Sequence, residues 1–383
     1  MGRVTTAVRP ARRVPDAAEV VEVGRAAGLD AVGIAPAAAF TTTRRHLQRR
    51  KAAGLHGGMN FTYRNPERSS DPATALPDAR ALVVAARSYR REPPPDGGSG
   101  APAGRVARYA WTDHYRPLRA GLGKVARRLM ADGWRARVVA DDNALVDREA
   151  AYRAGLGWYG KNANLLLPGQ GSWFVLGSVI TDAPLASTGP RVGDGCGTCV
   201  RCLDGCPTGA IVAPGVVDAR RCLAWLLQVD GPFPREHRVA LGDRLYGCDD
   251  CQDVCPPNRR VDRVGEAPPA EAEAEATVDL LELLDTGDDD LLDRHGRWYV
   301  PHRQPRYLRR NALVVLGNVA DPGDPRVAAA LGRALASADP LVRSHAVWAV
   351  RRLGREDLLV AARVDDDADP MVQDELAAPV DRR

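Results

Sequence analysis

All eight cysteines of the chain lie between Cys196 and Cys255. The first run reads Cys196-Gly-Thr-Cys199-Val-Arg-Cys202-Leu-Asp-Gly-Cys206-Pro207. The last reads Cys248-Asp-Asp-Cys251-Gln-Asp-Val-Cys255-Pro256, and Cys222 stands between them. In the spacing C-x2-C-x2-C-x3-C-P, three thiolates hold one [4Fe–4S] cluster and the fourth, before proline, reaches a second cluster. Applied here, the rule leaves no cysteine over. Cys196, Cys199 and Cys202 take Cys255, the other cysteine before a proline, as fourth ligand. Cys248 and Cys251 take Cys206 by crossing over, and Cys222 by count. Zinc bound by paired C-x2-C units has no need of this spacing, and disulfides need an oxidising compartment. Two neighbouring clusters make an electron relay, so the cysteines point to redox chemistry and leave the substrate open.

Other elements must position that relay. At 383 residues, two or three domains are expected. The net charge is +4, and lysine occurs only as Lys51, Lys124 and Lys161, so arginine carries the basic character. No apolar run is long enough to span a bilayer. Met1 is followed by no apolar signal core, so a cytoplasmic protein with no membrane partner is expected.

Residues 1 to about 14 lack pattern and read as a loose tail. Asp16 to Ala27 reads as a helix ended by Gly28, and Thr43 to Ala53 as a second ended by Gly54. Ala31 to Ala35, the apolar run Ala81 to Ala86, Arg135 to Ala140 and Ser172 to Ile180 read as strands. A Pro- and Gly-rich loop covers 91 to 104, and a helix covers Tyr115 to Asp132. Strands alternating with helices indicate an α/β domain. Asp141 and Asp142 follow a strand, where such sheets place chemistry. The same two residues also suit an Asx turn or the cap of a helix over Ala144 to Ala154. Trp158 to Asn162 reads as an ordered loop. No G-x-G-x-x-G or G-x4-G-K-[ST] motif is present, so nucleotide binding has no support.

Glu266 to Glu275 reads as a charged linker. Beyond it, Leu308 to Gly317 and Val342 to Val350 look like two copies of one helical unit about 34 residues apart. Such repeats stack to form a concave binding face. The stretch from Arg294 to Arg310 interleaves arginines with Trp298, Tyr299, His302 and Tyr307. It suits phosphates and stacked bases, and equally a solvated face in an arginine-rich protein.

Taken together, these pieces resemble the epoxyqueuosine reductase family. The carrying residues are Val139-Ala-Asp141, Asp147-Arg148, Ala154-Gly-Leu-Gly157-Trp-Tyr-Gly160-Lys161-Asn162 and Gly171-Ser-Trp-Phe-Val-Leu-Gly177. The cysteine runs, Thr208-Gly-Ala-Ile211, Asp218-Ala-Arg-Arg-Cys222 and Leu308-Arg-Arg-Asn-Ala312 complete them. The resemblance implies removal of the epoxide oxygen of epoxyqueuosine at the tRNA wobble position, the last step of queuosine synthesis. It implies cobalamin beside two [4Fe–4S] clusters, with Asp141 as proton donor, its carboxyl kept protonated by burial. Implied cobalamin contacts are Arg64, Arg108, Tyr109, Asp141, Lys161, Ser172, Asp249 and Asp250. Of these, Arg64 by itself reads as a solvated loop arginine. Arg306, Arg309 and Arg310 are expected at tRNA phosphates. A flavodoxin or ferredoxin is expected as electron donor, and the chain as a monomer.

The implied architecture is multidomain α+β. It comprises an α/β cobalamin- and substrate-binding domain (1–190), a ferredoxin-like double [4Fe–4S] domain (191–262), and a linker with HEAT-like α-helical repeats (263–383). Two segments depart from the family pattern, Thr112-Asp113-His114-Tyr115-Arg116 and Trp225-Leu-Leu-Gln228-Val229. Alternatives are a cobalamin-dependent reductive dehalogenase-like enzyme, a ferredoxin-type electron carrier with a helical docking domain, and a zinc-ribbon RNA-binding protein.

Overall fold

Asp16 opens the first helix, Ala17–Ala26, by accepting the Ala18 N–H at 2.9 Å, which satisfies a backbone donor the helix leaves unpaired. This computed structural model describes residues 12–95 and 100–382. The expected tail therefore lies outside the described residues up to position 11, as does part of the 91–104 loop. The chain forms two compact units. The first takes in the described residues up to Tyr89, His114–Cys199 and Pro256–Val264; the second takes in Arg90–Asp113, Val200–Cys255 and the chain from Gly265.

The first unit is built on a four-stranded sheet. Its spatial order is Ala31–Pro36, Ala81–Ser88, Phe174–Thr181 and Ala136–Val139. The continuous apolar run at 81–86 marks an inner strand, and all six of these residues are fully buried. Every pairing is antiparallel, which corrects the expectation of an α/β sheet. Alternation of strands with helices sets the element order, whereas strand direction depends on where each connection returns. The helix Tyr115–Ala131 buries Leu118, Leu122, Val125 and Leu129, one stripe at i, i+4, i+7 and i+11. That stripe faces the strands Phe174–Thr181 and Ala136–Val139.

The expected ordered loop after Gly157 contains a small hairpin, Trp158–Tyr159 with Leu165–Leu166. Gly157 permits it, because a Cβ there would overlap the Leu166 carbonyl. Lys161 sits in the hairpin turn, which the Gly160 N–H closes onto the Asn164 carbonyl at 2.8 Å.

In the second unit, Ala103–Val106 is flanked by Arg244–Tyr246, parallel, and Thr277–Asp279, antiparallel. The charged stretch before Thr277 is anchored rather than free. The Glu275 N–H donates to the Trp111 carbonyl at 3.2 Å, and its carboxylate pairs with Arg294 at 2.9 Å. The helices Arg306–Val319 and Pro340–Arg352 cover the two repeat-like segments and pack on each other, and Pro370–Ala377 packs on the latter. Asp339 caps Pro340–Arg352 through the Leu341 N–H, with proline in the first turn where no donor is needed. Leu313, Val315, Ala346, Val347 and Val350 are fully buried between them. A buried pair, Arg238 and Glu375 at 2.8 Å, ties the last helix to Arg235–Leu241. Among the described residues no helix is long and apolar enough to cross a membrane.

Candidate active site

Asp141 lies two residues beyond the edge strand Ala136–Val139, in a turn with φ of +53°. A non-glycine residue in the left-handed region carries local strain, which neighbouring contacts must hold in place. Ala140, Ala144 and Leu145 are buried, while Asp141 itself is exposed. The fold by itself does not bury the Asp141 side chain. Asp142 makes the Asx turn, its carboxylate accepting the Ala144 N–H at 2.8 Å. The helix begins at Asp147 rather than Ala144.

Asp147 is a residue that sequence reasoning did not assign a role. Loss of solvent, with the charges of Asp141 and Asp142 adding to it, pushes its carboxyl well above the usual range. Tyr115, in the segment that departs from the family pattern, has its hydroxyl pushed up by burial and then by Asp141 and Asp147. Tyr159 is likewise raised by burial and by Glu149, whose carboxylate accepts the Tyr159 hydroxyl at 3.3 Å. Asp141 thus stands in a setting of acids and one neutral phenol, that of Tyr115. Such perturbed groups cluster at functional sites, and only tertiary placement reveals them.

The other assigned residues of this unit differ in availability. Lys161 donates to the Gly197 carbonyl at 2.7 Å. Arg64 is exposed, and its own carbonyl accepts from Lys51 at 3.3 Å. Ser172 is buried, with its N–H donating to Asn258 Oδ1 at 2.7 Å and its hydroxyl accepting from Asn258 Nδ2 at 2.9 Å. Cys196 and Cys199 form one turn, closed by the Cys199 N–H onto the Cys196 carbonyl at 3.0 Å.

In the second unit, Arg108 and Tyr109 occupy a single helical turn, Arg108–Ala110. The Arg108 N–H donates to Asp249 Oδ2 at 2.7 Å. Asp249 is buried, its Oδ1 has no hydrogen-bond partner, and burial raises its carboxyl to about 6. An orphaned buried acceptor is costly unless something else donates to it. Asp250 is committed elsewhere, to Arg244 at 2.5 and 2.6 Å and to the Cys248 thiol at 2.7 Å. Gln228, within the second departing segment, donates to the Tyr109 hydroxyl at 3.2 Å. Gly247, at φ of +73°, lets Ala107 and Tyr109 approach, since a Cβ there would lie 2.5 Å from that of Ala107.

Three thiols of this unit, those of Cys222, Cys206 and Cys202, lie near Cys251. Burial raises its thiol, and the nearby Cys222, Asp249, Cys206 and Cys202 add to the effect. Cys206 Sγ also accepts the Ala210 N–H at 3.2 Å, the kind of bond that tunes a cluster sulfur. No disulfide joins any of the eight cysteines, and Cys202 and Cys255 are buried. Among the described residues no three His, Cys, Asp or Glu side chains close on a single-ion geometry.

The basic stretch is corrected in part. Arg310 is fully buried. Its guanidinium donates to the carbonyls of Gly231 at 2.6 Å and Val229 at 2.7 Å, and more weakly to those of Leu226 and Leu227. It holds the segment after Cys222, and a tRNA phosphate contact does not fit that position. Arg309 pairs with Asp288 and donates to the Thr286 carbonyl. Arg306 is half-exposed, 3.4 Å from Asp339. His302 and Arg303 are exposed, both at positive φ, and Tyr299 is exposed.

An acid-bearing antiparallel α+β unit and a thiol-rich unit with helical pairs are features of an iron–sulfur oxidoreductase. Residues 195–258 match the family described as a 4Fe-4S double cluster binding domain. The epoxyqueuosine reductase of Xanthomonas campestris pv. campestris is 36% identical over 349 residues, covering 88% of this chain and 96% of that protein. That of Pseudomonas aeruginosa is 34% identical over 352 residues, covering 88% and 94%. A crystal structure of epoxyqueuosine reductase with an epoxyqueuosine-modified tRNA-Tyr stem loop superposes with a TM-score of 0.83 at 29% identity, covering 94% of this chain and 96% of that one. The Bacillus subtilis enzyme, solved with its catalytic aspartate loop swung out of the active site, gives 0.82 at 28% identity with the same coverage. The chain belongs to the epoxyqueuosine reductase family.

Proposed function

We propose that this protein reduces epoxyqueuosine to queuosine at the wobble position of tRNA, with cobalamin and two [4Fe–4S] clusters as resident groups. The observation that carries the reading is Asp141: an exposed carboxyl held at a strained turn, in a chain of this family with a complete eight-cysteine set. The tRNA stem loop bound by one relative supports tRNA as substrate. The swung-out aspartate loop of another supports reading the Asp141 turn as a movable catalytic loop.

The net reaction breaks both C–O bonds of the epoxide, forms an alkene and releases water, and it takes up two electrons and two protons. Bound cobalamin would supply a strongly reducing cobalt centre, recharged one electron at a time through the clusters. Asp141 gives a proton to the departing oxygen, which would otherwise leave as a poor, charged leaving group. Cys196, Cys199, Cys202 and Cys255 would hold one cluster, and Cys206, Cys222, Cys248 and Cys251 the other. The gathering of Cys206 and Cys222 around Cys251 suits the second set.

The residues present fit a corrin. The unpartnered Oδ1 of Asp249 suits an amide N–H on the corrin periphery. Tyr109, held by Gln228, offers a flat face and a fixed hydroxyl. Arg64, Arg108 and Lys161 remain proposed cobalamin contacts on the family resemblance. Asp250 serves instead as the ion-pair partner of Arg244. The exposed Tyr299, His302 and Arg303, with the half-exposed Arg306, would meet the tRNA backbone and bases.

In this reading residues 1–190 bind cobalamin and substrate, 191–262 carry the clusters, and 263–383 form HEAT-like repeats. The protein acts as a cytoplasmic monomer fed by a flavodoxin or ferredoxin. The test is anaerobic conversion. Protein carrying cobalamin and both clusters, reduced in the presence of epoxyqueuosine-containing tRNA, yields queuosine by nucleoside mass spectrometry. Fully loaded, reduced protein that leaves epoxyqueuosine unchanged would sink the assignment.

A further inference from the structure

The helix Thr41–Ala52 carries Arg44, Arg45, Arg49, Arg50 and Lys51 and no acid. The chain as a whole is nearly balanced, with 53 basic and 49 acidic residues. Elsewhere its arginines meet carboxylates, as Arg135 meets Asp182 at 2.9 Å and Arg343 meets Asp367 at 2.6 Å. Leu47 is the buried residue of this helix, so most of its surface faces solvent. Arg45 and Arg49 are exposed, and among the described residues no carboxylate pairs with either.

That pattern does not favour the helix itself. Arg45 and Arg49 stand four residues apart, where side chains are neighbours and like charges repel. Cations in the last turn complement the helix dipole, which accounts for Arg49, Arg50 and Lys51. It does not account for Arg44 and Arg45, which lie nearer the other end. Arg44 is tied down, to the Ser70 hydroxyl at 2.9 Å and to Asp71 at 3.8 Å. Arg45 keeps an exposed charge.

The helix also adjoins the loop of a residue assigned to the cofactor. Lys51 donates to the Arg64 carbonyl at 3.3 Å. Gln48, Lys51, Arg64 and Asn65 line an open cleft of about 510 Å³, with Glu67 as its acid, engaged by Gln48 at 2.7 Å. The Arg64 N–H reaches the Phe61 carbonyl at 3.4 Å, and Phe61 is 40% exposed. Cations beside a cleft attract any polyanion. An exposed aromatic among them offers a base a face to stack on, which favours a nucleic acid over an acidic protein.

We propose that the exposed face of the helix Thr41–Ala52, with Arg45, Arg49 and Lys51, is a phosphate-contact surface for the tRNA substrate. The inference rests on the tRNA reading and extends it to a surface outside the arginine-rich stretch 294–310. Phosphate contacts fix register and orientation and carry no sequence information. The helix therefore sets how tightly the tRNA backbone is held, and leaves the choice of reacting base to the active site.

The test is the affinity of an unmodified tRNA transcript, measured against salt for wild type and for Arg45→Ala/Arg49→Ala. Both side chains are exposed, so the double variant should keep the wild-type urea midpoint. The slope of log affinity against log salt should fall by about 1.5, and affinity at about 50 mM salt should drop about tenfold. Arg45→Lys/Arg49→Lys should keep both near wild type, because the contact needs the charge. Cobalamin affinity and the rate of cluster reduction by flavodoxin should not change. An unchanged salt slope in the alanine variant would overturn the proposal; joined to slower reduction by flavodoxin, it would assign the face to an acidic electron carrier instead. Binding needs no turnover. Wild type that binds tRNA with the expected slope and leaves epoxyqueuosine unchanged would count against the functional reading alone.

Discussion

Replacing Arg310 with methionine separates a structural from a nucleic-acid role for the basic stretch. Arg310 is fully buried, and burial pulls its guanidinium down to about 9 from an ordinary 12.5. Its two shortest bonds, 2.6 and 2.7 Å, satisfy the carbonyls of Gly231 and Val229. Truncation leaves those two acceptors without a donor, at about 1–3 kcal/mol each. Methionine fills much of the volume, and removing a desolvated cation offsets part of the loss. The expected net destabilisation is about 3 kcal/mol, which at a typical urea m-value moves the midpoint by about 1 M. Tryptophan fluorescence reads it, since Trp225 and Trp298 lie in the same unit. A phosphate-binding arginine would behave differently. Its loss would leave the midpoint alone and reduce the salt dependence of tRNA affinity by about one counterion. An unchanged midpoint with a reduced salt slope would refute the reasoning.

Two further predictions concern stability and iron. Burial holds His295 neutral, with its imidazole lowered to about 4 from an ordinary 6.5. A depressed histidine stabilises the fold fully above the unfolded value, and that contribution is lost as pH falls from about 6.5 towards 4, by about 3 kcal/mol at most. His295→Gln should flatten this part of the stability profile between pH 7 and pH 4.5, and an unaltered profile would count against it. Cys222→Ser should lower iron from about eight to about four atoms per chain, because one cluster loses a ligand. Full iron content in that variant would show that Cys222 is not a ligand.

Much of the site was legible because thiolate spacing is itself a geometric rule. The run from Cys196 to Pro207 shows the spacing directly, and residues 195–258 match a 4Fe-4S double cluster binding domain. A helix limit was legible where a cap speaks locally, as at Asp16. Strand direction was not, because 31–36 and 81–88 pair antiparallel through a connection whose return path no local residue encodes. Arg310 misled because an arginine among aromatics reads alike whether its donors meet phosphates or carbonyls. Asp147 stayed silent for a related reason. Its carboxyl is raised by loss of solvent and by the charges of Asp141 and Asp142, a setting that only the folded chain creates.

The most direct test of the account is single-turnover conversion of epoxyqueuosine by wild type and Asp141→Asn, each reduced and carrying equal cobalamin and iron. Loss of the general acid should slow the mutant by about 100-fold or more, with cofactor content unchanged. Conversion at the wild-type rate by Asp141→Asn would contradict the assignment of Asp141 as proton donor.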